Sequence, residues 1–93
     1  MIKSYRNADT ESVANGMYTR RLPTNIQRRA KMRLDRIDAA AELSDLMVPP
    51  SHRLEILHGD RKGQHSIRVN DQWRICFVWK DGDAYDVEIV DYH

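Results

Sequence analysis

The spacing of apolar residues changes at Pro49-Pro50, and this change most constrains the fold. Before the prolines, apolar residues recur at steps of three and four, which is typical of helices that bury one face. After them, apolar and polar residues alternate, as in strands with one buried face. Two adjacent prolines cannot continue a helix. The sequence therefore predicts an α+β domain, with two N-terminal helices packed on one face of a small, mainly antiparallel β-sheet.

The length of 93 residues indicates a single domain over residues 1–93. The lone cysteine, Cys76, rules out an internal disulfide and fits a reducing compartment. His58 and His65 have no companion ligand at zinc-site spacing, so we predict no metal site and no cofactor. The apolar runs fall far short of the roughly 20 residues that cross a bilayer, and no opening stretch resembles a signal peptide. We therefore expect a soluble, cytoplasmic protein with no membrane contact.

Two helices are predicted before the prolines, after a short first strand at Ile2–Arg6. Asp9 is the predicted N-cap of the first helix, and Gly16 is its predicted stop. Thr24 and Gln27 have the spacing of a capping box, which predicts the start of the second helix. The apolar stripe of that helix comprises Ile26, Ala30, Leu34, Ile37 and Ala41.

Four strands are predicted after the prolines, at Arg53–Leu57, His65–Val69, Trp73–Trp79 and Ala84–Val90. Burial of one face determines the register between them. A three-residue loop, Asn70–Gln72, places Val69 opposite Trp73 and Ile67 opposite Ile75. Likewise, a three-residue loop at Asp81–Asp83 is predicted to keep Trp79 and Tyr85 on the core face. Trp73 and Trp79 are both interpreted as core residues. The opposite, polar face is predicted to carry Ser66, Arg68, Arg74 and Glu88, as either plain solvent-facing sheet or a site.

Charge is segregated along the chain, although the net charge is only +1. The segment Arg20–Arg36 carries a net charge of about +6, whereas Lys and Arg are absent from Asp81 onward. Arg29, Arg33 and Arg36 lie on a helical stripe that could hold RNA phosphates. A solvated helix face is the alternative interpretation.

Two segments carry groups suited to chemistry. The loop from Leu57 to His65 places two imidazoles and two cations around two glycines, which suits either a phosphate site or an ordinary charged hairpin loop. Asp91-Tyr92-His93 offers a carboxylate, a phenol and an imidazole. With an arginine these could supply the base, acid and cation that RNA cleavage by its own 2′-hydroxyl needs, and a polar tail is the alternative.

The chain resembles the RelE/ParE toxin superfamily, and within it the HigB-type toxins of bacterial toxin–antitoxin systems. The resemblance rests on Met1–Ser4, Gly59–Gly63, Ser66–Val69, Trp73–Ile75 and Asp91-Tyr92-His93. It implies a RelE-like fold and a metal-independent, ribosome-dependent mRNA endonuclease acting in the A site of the 30S subunit. It also implies a helix-turn-helix antitoxin partner of the HigA type.

The resemblance also implies roles for individual residues. Arg74 would contact the scissile phosphate, His93 and Tyr92 would transfer protons, and Asp91 would orient His93. His58 stands where close relatives have a lysine, and is included among the catalytic candidates. The candidate RNA-binding residues are Arg61, Lys62, Arg68, Arg28, Arg29, Arg33 and Arg36.

Two positions depart from the family pattern. His58 replaces a lysine and Glu55 replaces a neighbouring histidine. An ordinary lysine titrates near 10 and an ordinary histidine near 6.5, so charge stabilisation could be weaker or pH-dependent here. A binding-only relative, weakened by loss of that lysine, is therefore one alternative. The other is a ParE-like, non-enzymatic inhibitor that binds gyrase, because the superfamily fold alone does not imply nuclease activity.

Overall fold

The computed structural model describes residues 1–91. Within them, no helix is long and apolar enough to cross a membrane. Short 3-10 turns lie at Leu43–Met47, Pro50–His52 and Gly59–Arg61. The main elements are α1 (Ala8–Ala14), α2 (Thr24–Ala39), β1 (Glu55–Ile56), β2 (His65–Arg68), β3 (Trp73–Lys80) and β4 (Asp83–Asp91).

The four strands form one antiparallel sheet in the order β1-β2-β3-β4. The N-terminal segment, predicted as a strand, makes isolated parallel bridges to β4 instead, pairing Ile2 with Ala84 and Tyr5 with Val87. The sheet is therefore mainly antiparallel, as predicted, and the first residues of the chain cover its β4 edge.

The apolar stripe of α2 packs on this sheet. Ile26, Ala30, Leu34 and Ile37 are buried in one cluster with Ile67, Ile75, Phe77, Val87 and Ile89, which confirms the predicted arrangement of helices on one face. Ala41 does not continue the stripe, because the helix ends at Ala39 and Ala41 is exposed. The carboxylate of Asp45 accepts hydrogen bonds from the backbone N–H groups of Ala41 and Glu42, which holds this segment in a turn.

The predicted N-terminal caps of both helices are wrong, whereas Gly16, at φ 79°, ends α1 as predicted. Asn7, rather than Asp9, caps α1 by accepting a hydrogen bond from the Thr10 N–H. Asp9 instead accepts one from the Thr19 hydroxyl at 2.7 Å. Gln27 makes no capping box, because its amide bonds the backbone of the loop between the helices, donating to Thr19 O and Leu22 O. Asp9 and Gln27 thus bind the loop between the helices rather than a helix end.

The β2–β3 hairpin has the predicted register. Ile67 lies opposite Ile75 and Arg68 opposite Arg74, and the Val69 N–H donates to Trp73 O at 2.8 Å. Asn70 stabilises the loop by accepting hydrogen bonds from two later backbone N–H groups.

The β3–β4 hairpin differs from the prediction. Its loop is the two-residue Asp81-Gly82, both at positive φ (52° and 82°), as in a type I′ turn. Trp79 therefore pairs with Ala84, which is buried, while Tyr85 pairs with Val78. An irregularity at Asp86, with φ 52°, shifts the alternation by one residue and returns Val87 to the core face.

A pH-dependent stability follows from His52, which is fully buried and whose Nδ1 lies 3.2 Å from Leu46 O. Its Nε2 has no partner among residues 1–91. Burial lowers the pKa of His52 below the ordinary 6.5, and Arg33 and Arg36 lower it further. The unfolded chain therefore binds the proton first, so the free energy of unfolding should fall as pH drops below about 6.5.

Replacing His52→Asn should reduce this pH dependence, because the amide can still donate to Leu46 O but does not titrate. The measurement is the urea midpoint at pH 7.5 and 5.5, with the exposed His58→Gln as the matched control. An equally large drop in the intact chain and in His52→Asn would contradict the assignment.

Candidate active site

The sheet face turned away from the helices carries the predicted polar cluster. Ser66 pairs with Cys76, which pairs in turn with Glu88, and Arg68 pairs with Arg74. These side chains share one face because alternate residues of each strand point the same way. The structure thus brings together the polar residues that the sequence assigned to this surface.

Arg74 is the central cation of this face, and only 7% of it is exposed. Its Nε donates to Ser66 Oγ and its Nη2 to Arg53 O, both at 2.7 Å. Hydrogen bonds from a charged donor at this length are strong and directional. The guanidinium is therefore held in a defined orientation.

Glu55 is a neighbour of Arg74 that the sequence analysis did not identify as one. Its Oε1 lies 3.8 Å from Arg74 Nη2, and half of its side chain is exposed. Glu55 pairs with Ser66 across the β1–β2 ladder, which brings it to the same cluster. A register for β1, which the sequence analysis did not derive, would have revealed this proximity.

A second cluster surrounds Glu88. Arg61 Nη1 donates to Glu88 Oε1 at 3.2 Å and to Gln64 Oε1 at 3.1 Å. Arg6 Nε lies 3.9 Å from the same Glu88 oxygen. The sequence analysis missed Arg6, whose position follows from its backbone bond to Val87 O beside β4. The predicted RNA-binding residue Arg61 is thus tied to the polar face by a carboxylate.

The loop between β1 and β2 separates the two imidazoles that the sequence groups together. His58 is exposed and precedes the turn Gly59–Arg61, and Lys62 is also exposed. His65 instead lies on the core side, stacked on Phe77 with ring centroids 6.3 Å apart, and burial lowers its pKa. Only His58 is therefore placed where it could meet a ligand.

The arginines of α2 fall into two groups. Arg33 Nε donates to Arg68 O at 3.1 Å and Arg29 Nη1 to Val69 O at 3.4 Å, so both tie the helix to the end of β2. Burial lowers the pKa of Arg33, and nearby arginines lower it further. Arg28 and Arg36 are exposed. The basic helix surface thus reaches the end of β2 and so adjoins the polar face.

The C-terminal trio is described only at its first residue. Asp91 ends β4 opposite Trp73, and its Oδ2 accepts a hydrogen bond from Gln72 at 3.0 Å. Since Val90 pairs with Arg74, the end of β4 lies beside the start of β3. Tyr92 and His93 lie outside the described residues. Within residues 1–91, no three His, Cys, Asp or Glu side chains form a group that could hold a metal ion.

A family model described as the RelE-like toxin of the type II toxin–antitoxin system HigB matches residues 5–93. The chain belongs to this family. Toxin HigB-1 of Vibrio cholerae is 46% identical over 65 residues, which span 70% of this chain and 68% of that protein. Endoribonuclease HigB of Proteus vulgaris is 37% identical over 93 residues, covering 100% of both.

The HigB-family chain also resembles a solved structure, the YoeB-YefM complex from Staphylococcus aureus. The TM-score is 0.61 at 15% identity, over 100% of this chain and 98% of that one. At this identity the likeness concerns the fold, which is the predicted RelE-like one. The roles of individual residues stay predictions.

The reactivity of Cys76 measures how far the polar face of the HigB-family sheet excludes solvent. The thiol is fully buried, and burial raises its pKa. Because thiolate is the reactive form, we expect alkylation of the native protein to be at least about a hundredfold slower than of the urea-unfolded chain. Mass spectrometry after iodoacetamide treatment measures this ratio. Comparable rates in the two states would contradict the described burial.

Proposed function

We propose that this HigB-family chain is a ribosome-dependent endoribonuclease that cuts messenger RNA in the ribosomal A site and so inhibits translation. The observation that carries the proposal is Arg74, a guanidinium oriented on the polar face near the start of the C-terminal trio. Alignment over its full length with a protein named Endoribonuclease HigB supports the reaction class.

In the proposed reaction, a base removes the proton of a ribose 2′-hydroxyl, and the 2′-oxygen attacks the adjacent phosphorus. The bond to the 5′-oxygen breaks, and an acid protonates that oxygen, leaving a 2′,3′-cyclic phosphate and a 5′-hydroxyl. Arg74 would stabilise the charge that develops on the phosphoryl oxygens. His93 and Tyr92 are the proposed proton-transfer groups, and Asp91 would orient His93. Glu55, beside Arg74, is a further carboxylate able to accept a proton.

The remaining cations would hold RNA rather than react. Arg68 lies on the polar face and Arg61 is tied to it by Glu88, while His58 and Lys62 are exposed in the loop between β1 and β2. Arg28, Arg29, Arg33 and Arg36 extend the basic surface along α2, where each phosphate contact adds salt-dependent affinity. Of these, Arg29 and Arg33 also hold α2 to the sheet, so Arg28 and Arg36 are the better probes of binding alone.

The proposed partners are the ribosome, messenger RNA and a helix-turn-helix antitoxin of the HigA type. Membership of a type II toxin–antitoxin family supports the antitoxin, and the structural neighbour was itself solved as the YoeB-YefM complex. The comparisons do not favour the gyrase-binding alternative, since the matched family and relative are named for HigB and for an endoribonuclease.

The purified chain should leave free RNA largely intact but cut message on programmed ribosomes. The ribosome would position the 2′-hydroxyl for attack, and positioning can contribute orders of magnitude in rate. Toeprinting with and without ribosomes measures the cuts, with Arg74→Ala as the control for contaminating nucleases. Efficient cutting of free RNA at matched concentration would contradict the ribosome requirement.

Charge reversal at Arg28 and Arg36 should weaken ribosome binding without slowing the chemical step. If each contacts one phosphate, the slope of log affinity against log salt should fall by about two. The single-turnover rate at saturating ribosomes should stay within about twofold. Lys3→Glu with Lys80→Glu is the matched control, because both lysines are exposed outside α2 and the charge change is the same. Equal weakening by both double variants would indicate a net-charge effect rather than a binding surface.

His93→Gln should lower the single-turnover rate on ribosomes by about a hundredfold or more, which is the usual contribution of a positioned acid or base. The melting temperature of His93→Gln, measured in parallel, checks that the fold is preserved. Cleavage at the rate of the unmodified chain would show that the trio is a tail, and would favour a binding-only function.

A further inference from the structure

Arg74 provides the hydrogen-bond partner of the buried Ser66 hydroxyl. Ser66 is fully buried, on a strand with neighbours on both sides. A buried hydroxyl needs a hydrogen-bond partner, since leaving it unpaired destabilises the fold. Its Oγ accepts the Arg74 Nε–H at 2.7 Å. The site therefore contains a buried acceptor aimed at the side of the guanidinium.

Arg53 supplies a second acceptor through an unusual backbone conformation. Its φ of 45° and ψ of 58° lie in the left-handed region, which residues with a Cβ rarely adopt. The Arg53 N–H donates to Pro50 O at 3.0 Å and closes the turn before β1. The Arg53 carbonyl meets Arg74 Nη2 at 2.7 Å. The turn thus presents a backbone oxygen to the same guanidinium.

The two acceptors engage one edge of Arg74, the edge formed by Nε and Nη2. Ser66 O lies 3.4 Å from Nη2 and adds a third contact there. A guanidinium is planar and rigid, so fixing one edge fixes the direction of the Nη1 edge as well. Glu55 Oε1, at 3.8 Å, supplies charge on the same side.

We propose that Ser66 is a positioning residue, which together with the left-handed turn at Arg53 orients Arg74 toward the scissile phosphate. This inference rests on the proposed function. Neither residue need touch RNA for its effect, because both act through Arg74. The contribution is orientation, to which cleavage rates are sensitive.

Ser66→Ala should lower kcat on programmed ribosomes by about tenfold and leave KM within about twofold, because a hydrogen bond to a charged group is lost. Ser66→Thr keeps the hydroxyl and should restore most of kcat. The NMR signal of the Arg74 Nε–H is assigned by its absence from the Arg74→Lys spectrum. In Ser66→Ala this proton should exchange with solvent at least about tenfold faster.

Thr10→Val is the matched control, since Thr10 is also buried and its hydroxyl accepts a hydrogen bond from the Ile89 N–H on the helix side. It should lower the melting temperature while leaving kcat and the Arg74 signal unchanged. An unchanged kcat in Ser66→Ala would overturn the proposal. So would a reduced kcat with an unchanged Arg74 signal.

Arg53 provides a second pair of variants should Ser66→Ala fail to fold. Arg53→Asn and Arg53→Val remove the same charge, but only valine strongly disfavours the left-handed region. Lower kcat and faster Arg74 exchange in the valine variant support the proposal, and equal behaviour of the two overturns it. Absence of cleavage by the unmodified chain would overturn the proposed function instead, and the NMR comparison would still decide whether Ser66 and Arg53 hold Arg74.

Discussion

The register of β3 against both of its neighbours is the constraint on which the molecule depends. Ile75 lies between Ile67 and Ile89, which places all three under the helices. The same alignment places Cys76 between Ser66 and Glu88, and Arg74 beside Arg68, on the opposite face. A slip of one residue would exchange these faces and bury the arginines under α2. Hydrophobic burial on one side therefore determines the position of the candidate site on the other.

Residues at positive φ determine which side chains of β4 face the core. The Asp81-Gly82 turn makes a tight hairpin that places Ala84 inward, and the irregularity at Asp86 then returns Val87 and Ile89 to the core. Arg53 has a comparable conformation beside the site. For residues with a Cβ such conformations are unfavourable and persist only where the surroundings determine them. In this chain Asp86 shifts the register of β4, and Arg53 presents its carbonyl to Arg74.

Three arginines of the polar face each lie beside a carboxylate. Glu88 holds Arg61, Glu55 lies beside Arg74, and Asp71 is paired with Arg68. The α2 arginines approach this face at the end of β2, where Arg33 bonds Arg68 O. Under the proposed function, the α2 arginines would bind the RNA backbone at several phosphates while Arg74 contacts the reacting one.

The sequence by itself determined the α+β class, the apolar stripe of α2, the β2–β3 register and which residues form the polar face. Each depends on periodicity or on a loop length that burial dictates, and both can be read from neighbouring residues. The family resemblance and the end-to-end match agree on the HigB type. Tertiary structure alone decided which groups Gln27 and Asp9 bind. It also decided the one-residue shift of the inward–outward alternation at Asp86, and the contacts of Arg74 with Ser66, Arg53 and Glu55. The partners of these side chains depend on how the intervening loops are folded, and the shift at Asp86 depends on which of its neighbours is buried, so no local pattern encodes either.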